Sequence, residues 1–575
     1  MQEHPVDVKG GSPNPVVLAI LLAVLMGVIE LPFAAFMADD FIQLGILEHV
    51  SPCTWIGPTN LYTISDGDPV HVGIMKNAGA FPWFFGREFK MAFFRPLSSA
   101  LLALDHVFFG LNPVGYRIHG ILWFLLLVLG FGSLLRSILP ESLTRLALIV
   151  FTISGIHGIL CWTATRHIVI AAAVCMLGVS CHVRWRAGGW RPGRFLSIAC
   201  FALSLTASEA AIGMVIYLLA YEAFGAPGRR KECLKACLPI TVVISLYLVL
   251  YALFKFGASG GSGYINPLQE PLTFLIQLPV RLVVLMGAML AGGNADLWVL
   301  RPHLRPVMFG AGMFFVAVFA MLLRAVWARI STEERQAARW LTAGSLASAI
   351  PFTGTPIGSR CLVVPFIGGS VVIALVLHYW WKERRRTHGW KYRLIGATCA
   401  FLAFIHLVMA PVGRLASPYL LRLMMFENLR TSMKDAELDQ DCIDVQTVIL
   451  LTAPDIAVGF HSYFYRMLYR MPMPAAWRVL SWGPYTHRFH RVSTDTLDME
   501  LVDGEIQAPF FKSGDVVDLE GMRATVLGAN GDGPTRIRFQ FNRPLDDPSL
   551  YFMAWKDGRL LHIQPPQLGQ SLQLP

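Results

Sequence analysis

The chain has 575 residues, 54% of them hydrophobic and 15% charged, with a mean hydropathy of +0.52. That balance excludes an ordinary soluble enzyme: apolar runs of about 20 residues recur, the length needed to cross a hydrocarbon core of roughly 30 Å. The formal net charge of +10 does not mark a nucleic-acid binder. It is better explained by loops such as "GRRKECLK" (228–235) and "WWKERRRTHGWKYR" (380–393), and no groove-reading or base-stacking module is visible.

Residues 1–15 read as a cytoplasmic tail. The first apolar run, 16–37, is too long for a signal peptide and no small-residue cleavage site follows it, so it reads as a retained span. It ends at "MADDFIQL" (37–44), where Asp39 and Asp40 stand side by side. A first outer loop over 38–114 follows. Further spans are expected at 115–137, 143–161, 167–185, 195–208, 210–225, 236–256, 307–327, 340–353, 361–379 and 394–412, eleven in all. Arg136, the stretch from Arg184 to Arg194, 229–235, 324–339 and 382–393 fall on one side, which the positive-inside rule makes cytoplasmic. Residues 272–291 are long enough to span too. Pro279 and Arg281 interrupt that run, and a span there would move the basic end of 307–327 outside, so the segment is expected as an interfacial or partly embedded helix on the outer side.

The expected architecture is thus an all-α polytopic membrane protein, with a multi-span domain over 16–412 and an amphipathic linker over 413–440. A small extracytoplasmic mixed α/β domain over 441–575, autonomous and without a catalytic constellation of its own, completes it. In that tail "VILLTAPD" (448–455) reads as a buried strand followed by a helix near 456–470. "TRIRFQFN" (535–542) alternates as a half-buried strand. "YFMAWKDGRLLHIQ" (551–564) reads as a hairpin around Asp557-Gly558. The ten cysteines are scattered, mostly within apolar runs. No CxxC pair and no His/Cys cluster has zinc spacing, so neither a disulfide framework nor a metal site is expected.

The unusual polar residues gather at the outer ends of the spans. They are Asp39 and Asp40, "FFRPLSSALLALDHVFFGLNPVGYR" (93–117), "WTATRH" (162–167), "ASEAA" (207–211), "GYINPL" (263–268) and "GTPIGSRCLVVP" (354–365). Ionisable groups near a membrane are costly, and six separate segments carrying them to one face suggest a pocket there. The competing reading is that helix ends are simply polar.

The ordered series resembles the GT-C membrane glycosyltransferases, most nearly the protein O-mannosyltransferase type and its bacterial relatives. An Asp-Asp at the exit of the first span is followed by "RPL" (95–97) and "DHVFFGLNPVGYR" (105–117). "TATRHIVIAA" (163–172) is similar to that family's Gly-Arg-x-Asp-Leu-Leu-Ala segment, and "LTASEAAIGMVIYLLAYE" (205–222) to its Ser-Lys-Glu-x-Ala segment. "NPL" (266–268) and "SRCLVVP" (359–365) are similar to its Asn-Pro-Leu and Ser-Arg-Tyr-Leu-x-x-Pro segments. The likeness covers roughly residues 16–412. Departures stand at Ile168 or Val169 in place of an Asp, Ser208 in place of a Lys, and Cys361 in place of a Tyr. Gly120 and Phe124 stand where Asn and His are usual.

The resemblance implies transfer of a sugar from a polyprenyl-phosphate carrier to a glycan, lipid or protein acceptor at the outer face of a multi-pass membrane protein. A bacterial inner membrane is expected. A lipid-phosphate leaving group needs positive charge rather than a general acid, and the acceptor hydroxyl needs a base within hydrogen-bond reach. Neighbouring carboxylates and partial burial both raise a carboxyl pKa. One of Asp39 and Asp40 is therefore a candidate base, with Asp40, further from the apolar run, preferred. Arg95, Arg166 and Arg360 are candidate phosphate ligands because a guanidinium stays charged and binds in a bidentate fork. Pro96 is expected to hold Arg95 extended. Glu209 and Asp105 are candidate supporting residues, Glu209 orienting an arginine, coordinating a metal or simply forming a buried helix-end salt bridge, and Asp105 pairing with an arginine. His49, His71 and His106 form no pair with metal spacing. No cofactor is expected beyond the donor substrate, and a divalent ion is left open. Two other readings stand beside this one: an inactive scaffold that kept the fold, supported by the departures, and a secondary transporter, which would need mid-membrane polar breaks and repeats.

Overall fold

The computed structural model describes residues 14–260, 264–383, 389–439 and 441–575. The expected cytoplasmic tail up to residue 13 and the centre of the basic loop, 384–388, lie outside the described residues.

Apolar runs become helices where caps and prolines mark their starts. Pro15–Glu30 begins at Asn14, whose side chain accepts the Val16 N–H at 3.0 Å, with Pro15 in the first turn where its missing N–H costs nothing. Asn112 caps Pro113–Ile138 in the same way. Ser331 and Glu334 close a reciprocal capping box on Thr332–Ser348. All eleven expected stretches fall on helical structure. Among the described residues seven helices are long and apolar enough to cross a membrane, or eight if the bent pair Glu141–Thr152 and Gly155–Cys161 is one span. Pro192–Leu205 and Ala210–Phe224, at 14 and 15 residues, are shorter than a full crossing needs. Phe131, Phe151, Tyr217, Trp340 and Phe366 are buried in the helical core. Leu21, Leu122, Val249 and Phe314 lie exposed on its flanks, the surface that lipid covers in a multi-pass membrane protein.

Pro271–Ala291 is one of the seven by length and composition. Its contacts keep both flanks near one turn. Ile265 N–H donates to Gly354 O at 2.8 Å, and Asp296 accepts from Ser359 Oγ at 2.7 Å. From mid-helix, Arg281 donates to Thr353 O at 2.8 Å and Thr355 O at 3.2 Å.

The chain does not break at residue 413. A single helical stretch of 42 residues runs over Arg393–Lys434, through two π-type turns at Ile405–Met409 and Leu423–Glu427. At 1.5 Å per residue that is roughly 60 Å, about twice the hydrocarbon thickness. Residues 413–434 of the expected linker thus continue the last helix. Arg414 on it reaches back to Glu30 of the first helix at 3.0 Å, and Arg117 pairs with the same buried carboxylate.

The tail carries two sheets. One is four-stranded, in the order Arg559–His562, Leu550–Lys556, Thr447–Thr452, Ala476–Val479, the last three mutually parallel and the first antiparallel to its neighbour. The other is six-stranded and antiparallel, with Pro534–Phe541 between Thr496–Leu501 and Met522–Ala529. Ile537, Phe539 and Phe541 are buried as the alternation expects. Asp557 and Gly558 turn the hairpin with φ of 52° and 80°, the two left-handed residues of a type I′ turn.

The expectation of an autonomous tail is corrected by its core. One hydrophobic cluster joins Phe36, Phe41, Met75 and Phe81 of the first loop to Val448, Phe464, Trp477 and Met553 of the tail. A second puts Trp83 and Phe84 among Leu497, Phe539 and Phe552. Trp83 Nε1–H donates to Leu480 O at 3.0 Å. Without the first loop these tail surfaces would meet water. A three-stranded sheet of Thr63–Asp66, Lys90–Ala92 and Gly257–Ser259 further ties the loop to the segment leading to Tyr264.

Candidate active site

A cavity of about 430 Å³ opens where the helices meet the first loop and the tail. All six polar segments singled out in the sequence reach its wall, through Asp39, Arg95, Thr165, Glu209, Tyr264 and Arg360 among others.

The geometry separates the two aspartates. Ala38 sits at φ 49°, ψ −116°, and Asp40 N–H donates to Met37 O at 3.0 Å. This is a type II′ turn with alanine where glycine is normally required, a strain of order 1–3 kcal/mol. The turn sends the neighbouring side chains in different directions. Asp40 is 1% exposed. Its Oδ2 accepts the Met37 N–H at 2.9 Å and its Oδ1 the Ala164 N–H at 2.7 Å. Burial pushes its carboxyl up to about 8, against the pull of those two donors. Asp39 lines the cavity and its side chain keeps 31% exposure. Both oxygens of Asp40, the preferred candidate base, are thus engaged behind the wall, and Asp39 is the carboxylate of the pair that faces the space.

The three arginines separate likewise. Arg95 is held bidentately by Glu209, Nε to Oε2 at 2.9 Å and Nη2 to Oε1. Its guanidinium lies over the rings of Phe93 and Tyr62, 4.4 and 5.0 Å from their centres. Burial works against the charge on Arg95, and the Glu209 carboxylate more than restores it. Its backbone, at φ −134°, ψ 51°, is non-helical before Pro96 but short of the extended form expected. Arg166 does not reach the cavity. It is buried behind the wall, its Nη2 2.5 Å from Asp105 Oδ2, while Asp105 Oδ1 contacts His119 Nδ1 at 2.5 Å. Asp105 is thus the partner of an arginine, as its setting suggested. Arg360 lines the cavity and donates to Pro356 O at 3.2 Å. Among the described residues no carboxylate lies within ion-pair distance of it.

Some of the departures from the resembled pattern meet at the cavity, whereas Gly120 and Phe124 do not line it. Ile168, Ser208 and Cys361 all line the cavity, and Ser208 Oγ lies 2.8 Å from His167 Nδ1. Sequence reasoning missed the far wall, made by Phe85 and Phe89 of the first loop and by Phe460, His461 and Trp482 of the tail. His461 Nε2 stands 4.0 Å from Asp39 Oδ1. No local signal marks these residues, because the tail reads as a separate body. No group of three or more His, Cys, Asp or Glu placed to hold a metal ion occurs among the described residues.

Fold and site define a multi-pass helical membrane protein whose cavity lies between the helix ends and a β-containing C-terminal region. No family model and no curated protein matches the chain. Among solved structures it is similar to ArnT from Cupriavidus metallidurans bound to undecaprenyl phosphate, at 12% identity over 80% of this chain and 85% of that one, with a TM-score of 0.38. It is similar also to ArnT from the same organism in the apo state, at 11% identity over 80% and 84%, with a TM-score of 0.40.

Proposed function

We propose that the chain is a membrane glycosyltransferase of the GT-C type. It moves a sugar from a polyprenyl-phosphate carrier to an acceptor hydroxyl at the periplasmic face of a bacterial inner membrane, with the N-terminus cytoplasmic and the tail periplasmic. The observation that carries this reading is the convergence of six sequence-distant segments on one cavity that holds a solvent-reachable carboxylate and an arginine with no carboxylate within ion-pair distance among the described residues. The ordered motifs supply the reaction class.

In this reading Asp39 takes the proton of the acceptor hydroxyl as its oxygen attacks the anomeric carbon. The bond from that carbon to the phosphate oxygen breaks, and the electron pair leaves with the lipid phosphate. Arg360 meets the charge that develops there. A preorganised cation in a water-poor site acts most strongly where charge appears in the transition state. Arg95, neutralised by Glu209, shapes the wall and adds a directed donor array. Asp40 and the Arg166–Asp105 pair hold the turn and the 163–166 segment in place.

The test uses purified protein in lipid nanodiscs, undecaprenyl-phosphate-linked hexoses and pentoses, and glycolipids extracted from bacterial envelopes. Release of undecaprenyl phosphate coupled to a labelled acceptor supports the reading. Binding of undecaprenyl phosphate without turnover on any donor favours the inactive scaffold instead.

A further inference from the structure

We infer that His461, supplied by the tail, orients the acceptor hydroxyl against Asp39, so that the active site is incomplete without the C-terminal region. The inference rests on the reading of Asp39 as the base. His461 is 4% exposed and lines the cavity, and neither of its ring nitrogens has a hydrogen-bond partner. A buried polar group left unpaired is costly, and such groups in native proteins call for an explanation. Other buried histidines each keep at least one ring-nitrogen partner: His167 has Ser208, His406 has Leu290 O, and His487 has Ser481 at Nε2 although its Nδ1 has none. His157 also lacks partners, but it is enclosed by Phe124, Phe151 and Phe366 and does not line the cavity.

The position is built. Asp455 caps the helix Ile456–Leu468 by accepting the Val458 N–H at 3.0 Å. At Gly459 a Cβ would come within 2.5 Å of the Trp482 ring, so the glycine lets Trp482 close against this helix beside His461. The gap of 4.0 Å between His461 Nε2 and Asp39 Oδ1 is too long for a direct hydrogen bond. It suits one oxygen bonded to both. An acceptor hydroxyl seated there accepts from the imidazole N–H and donates to the carboxylate, leaving its second lone pair for the anomeric carbon. The proton then passes to Asp39, the new C–O bond forms, and the phosphate departs with the electron pair of the broken bond. His461 contributes a donor and exchanges no proton.

The experiment compares His461→Leu, His461→Gln, Asp39→Asn and the double variant Asp39→Asn/His461→Leu. It measures acceptor kcat/KM with an undecaprenyl-phosphate-linked sugar, undecaprenyl phosphate affinity and the unfolding midpoint. His461→Leu should lower acceptor kcat/KM about 100-fold, within the usual range for positioned polar groups, with undecaprenyl phosphate affinity changed less than about twofold. His461→Gln, which keeps an N–H donor, should recover to within about tenfold of the wild type. The double variant should lie within about threefold of Asp39→Asn, because groups acting on one oxygen are not additive. Near-normal acceptor kcat/KM in His461→Leu overturns the inference. So does equal damage in both His461 variants accompanied by lost lipid affinity, which marks a purely structural role. A wild type that binds undecaprenyl phosphate yet transfers nothing fails the functional reading itself, and the inference falls with it.

Discussion

Asp40 Oδ1 accepts the backbone N–H of Ala164 at 2.7 Å, across 124 residues of chain. The contact latches the exit of the first helix to the turn before Arg166–Gly188. Replacing Asp40 by alanine strips acceptors from two buried N–H groups, those of Met37 and Ala164. At about 1–3 kcal/mol for each orphaned donor, the unfolding midpoint in detergent should drop clearly.

The same residue predicts a pH dependence. Burial raises Asp40 to about 8 in the folded protein, whereas in the unfolded chain it titrates near 4. Between those values the folded state holds a proton that the unfolded state has released, so stability is greatest below the lower value and is lost as pH rises through the upper one. Thermal midpoints measured from pH 5 to pH 9 should fall with pH. Asp40→Asn should start lower, because its amide N–H₂ faces a donor, and should lack that slope. A slope unchanged in Asp40→Asn would assign the dependence to another group.

Asp39 should behave in the opposite way. Its side chain is partly exposed at the cavity, so Asp39→Asn should leave the midpoint nearly unmoved. Turnover should fall by roughly 10²–10⁴-fold, the size of general-base catalysis, with undecaprenyl phosphate affinity retained. The kinetic and thermal data from one preparation decide it.

The two cavity arginines should differ. Arg360→Gln removes a cation that, among the described residues, has no carboxylate within ion-pair distance, and should weaken undecaprenyl phosphate binding by about 10- to 100-fold, the worth of one charge-assisted hydrogen bond. Arg95→Gln also leaves Glu209 without its partner, so it should cost stability as well as binding. Titration of undecaprenyl phosphate alongside thermal unfolding separates the two effects.

Trp83 should matter to a region far from it in sequence. It is 1% exposed, donates to Leu480 O and packs edge-on to Phe539. Trp83→Ala should cost about 3–5 kcal/mol and speed limited proteolysis within 441–575. The fragment 441–575 expressed alone should aggregate. A soluble, cooperatively unfolding fragment would show that the shared core is dispensable.

Much of this protein is written locally. Apolar runs broken by prolines and capping residues mark the helices, because backbone hydrogen bonds in lipid must be satisfied within the segment. Period-2 alternation at Ile537, Phe539 and Phe541, and the Asp557-Gly558 turn, mark the tail strands, because pleat and turn conformations act over a few residues. The six polar segments were legible as one face because the positive-inside reading places the ends that carry them opposite the basic loops. What tertiary structure alone decided lies in side-chain direction and long-range packing. Asp39 and Asp40 are chemically identical neighbours, and only the strained turn at Ala38 and the Ala164 N–H send one into the cavity and the other behind it. Arg95 and Arg360 both sit in family-like motifs, and only the approach of Glu209 neutralises the first. His461 carries no motif at all. It reaches Asp39 because the first loop and the tail bury their aromatic side chains in common cores, a contact between segments some 400 residues apart that no local pattern encodes.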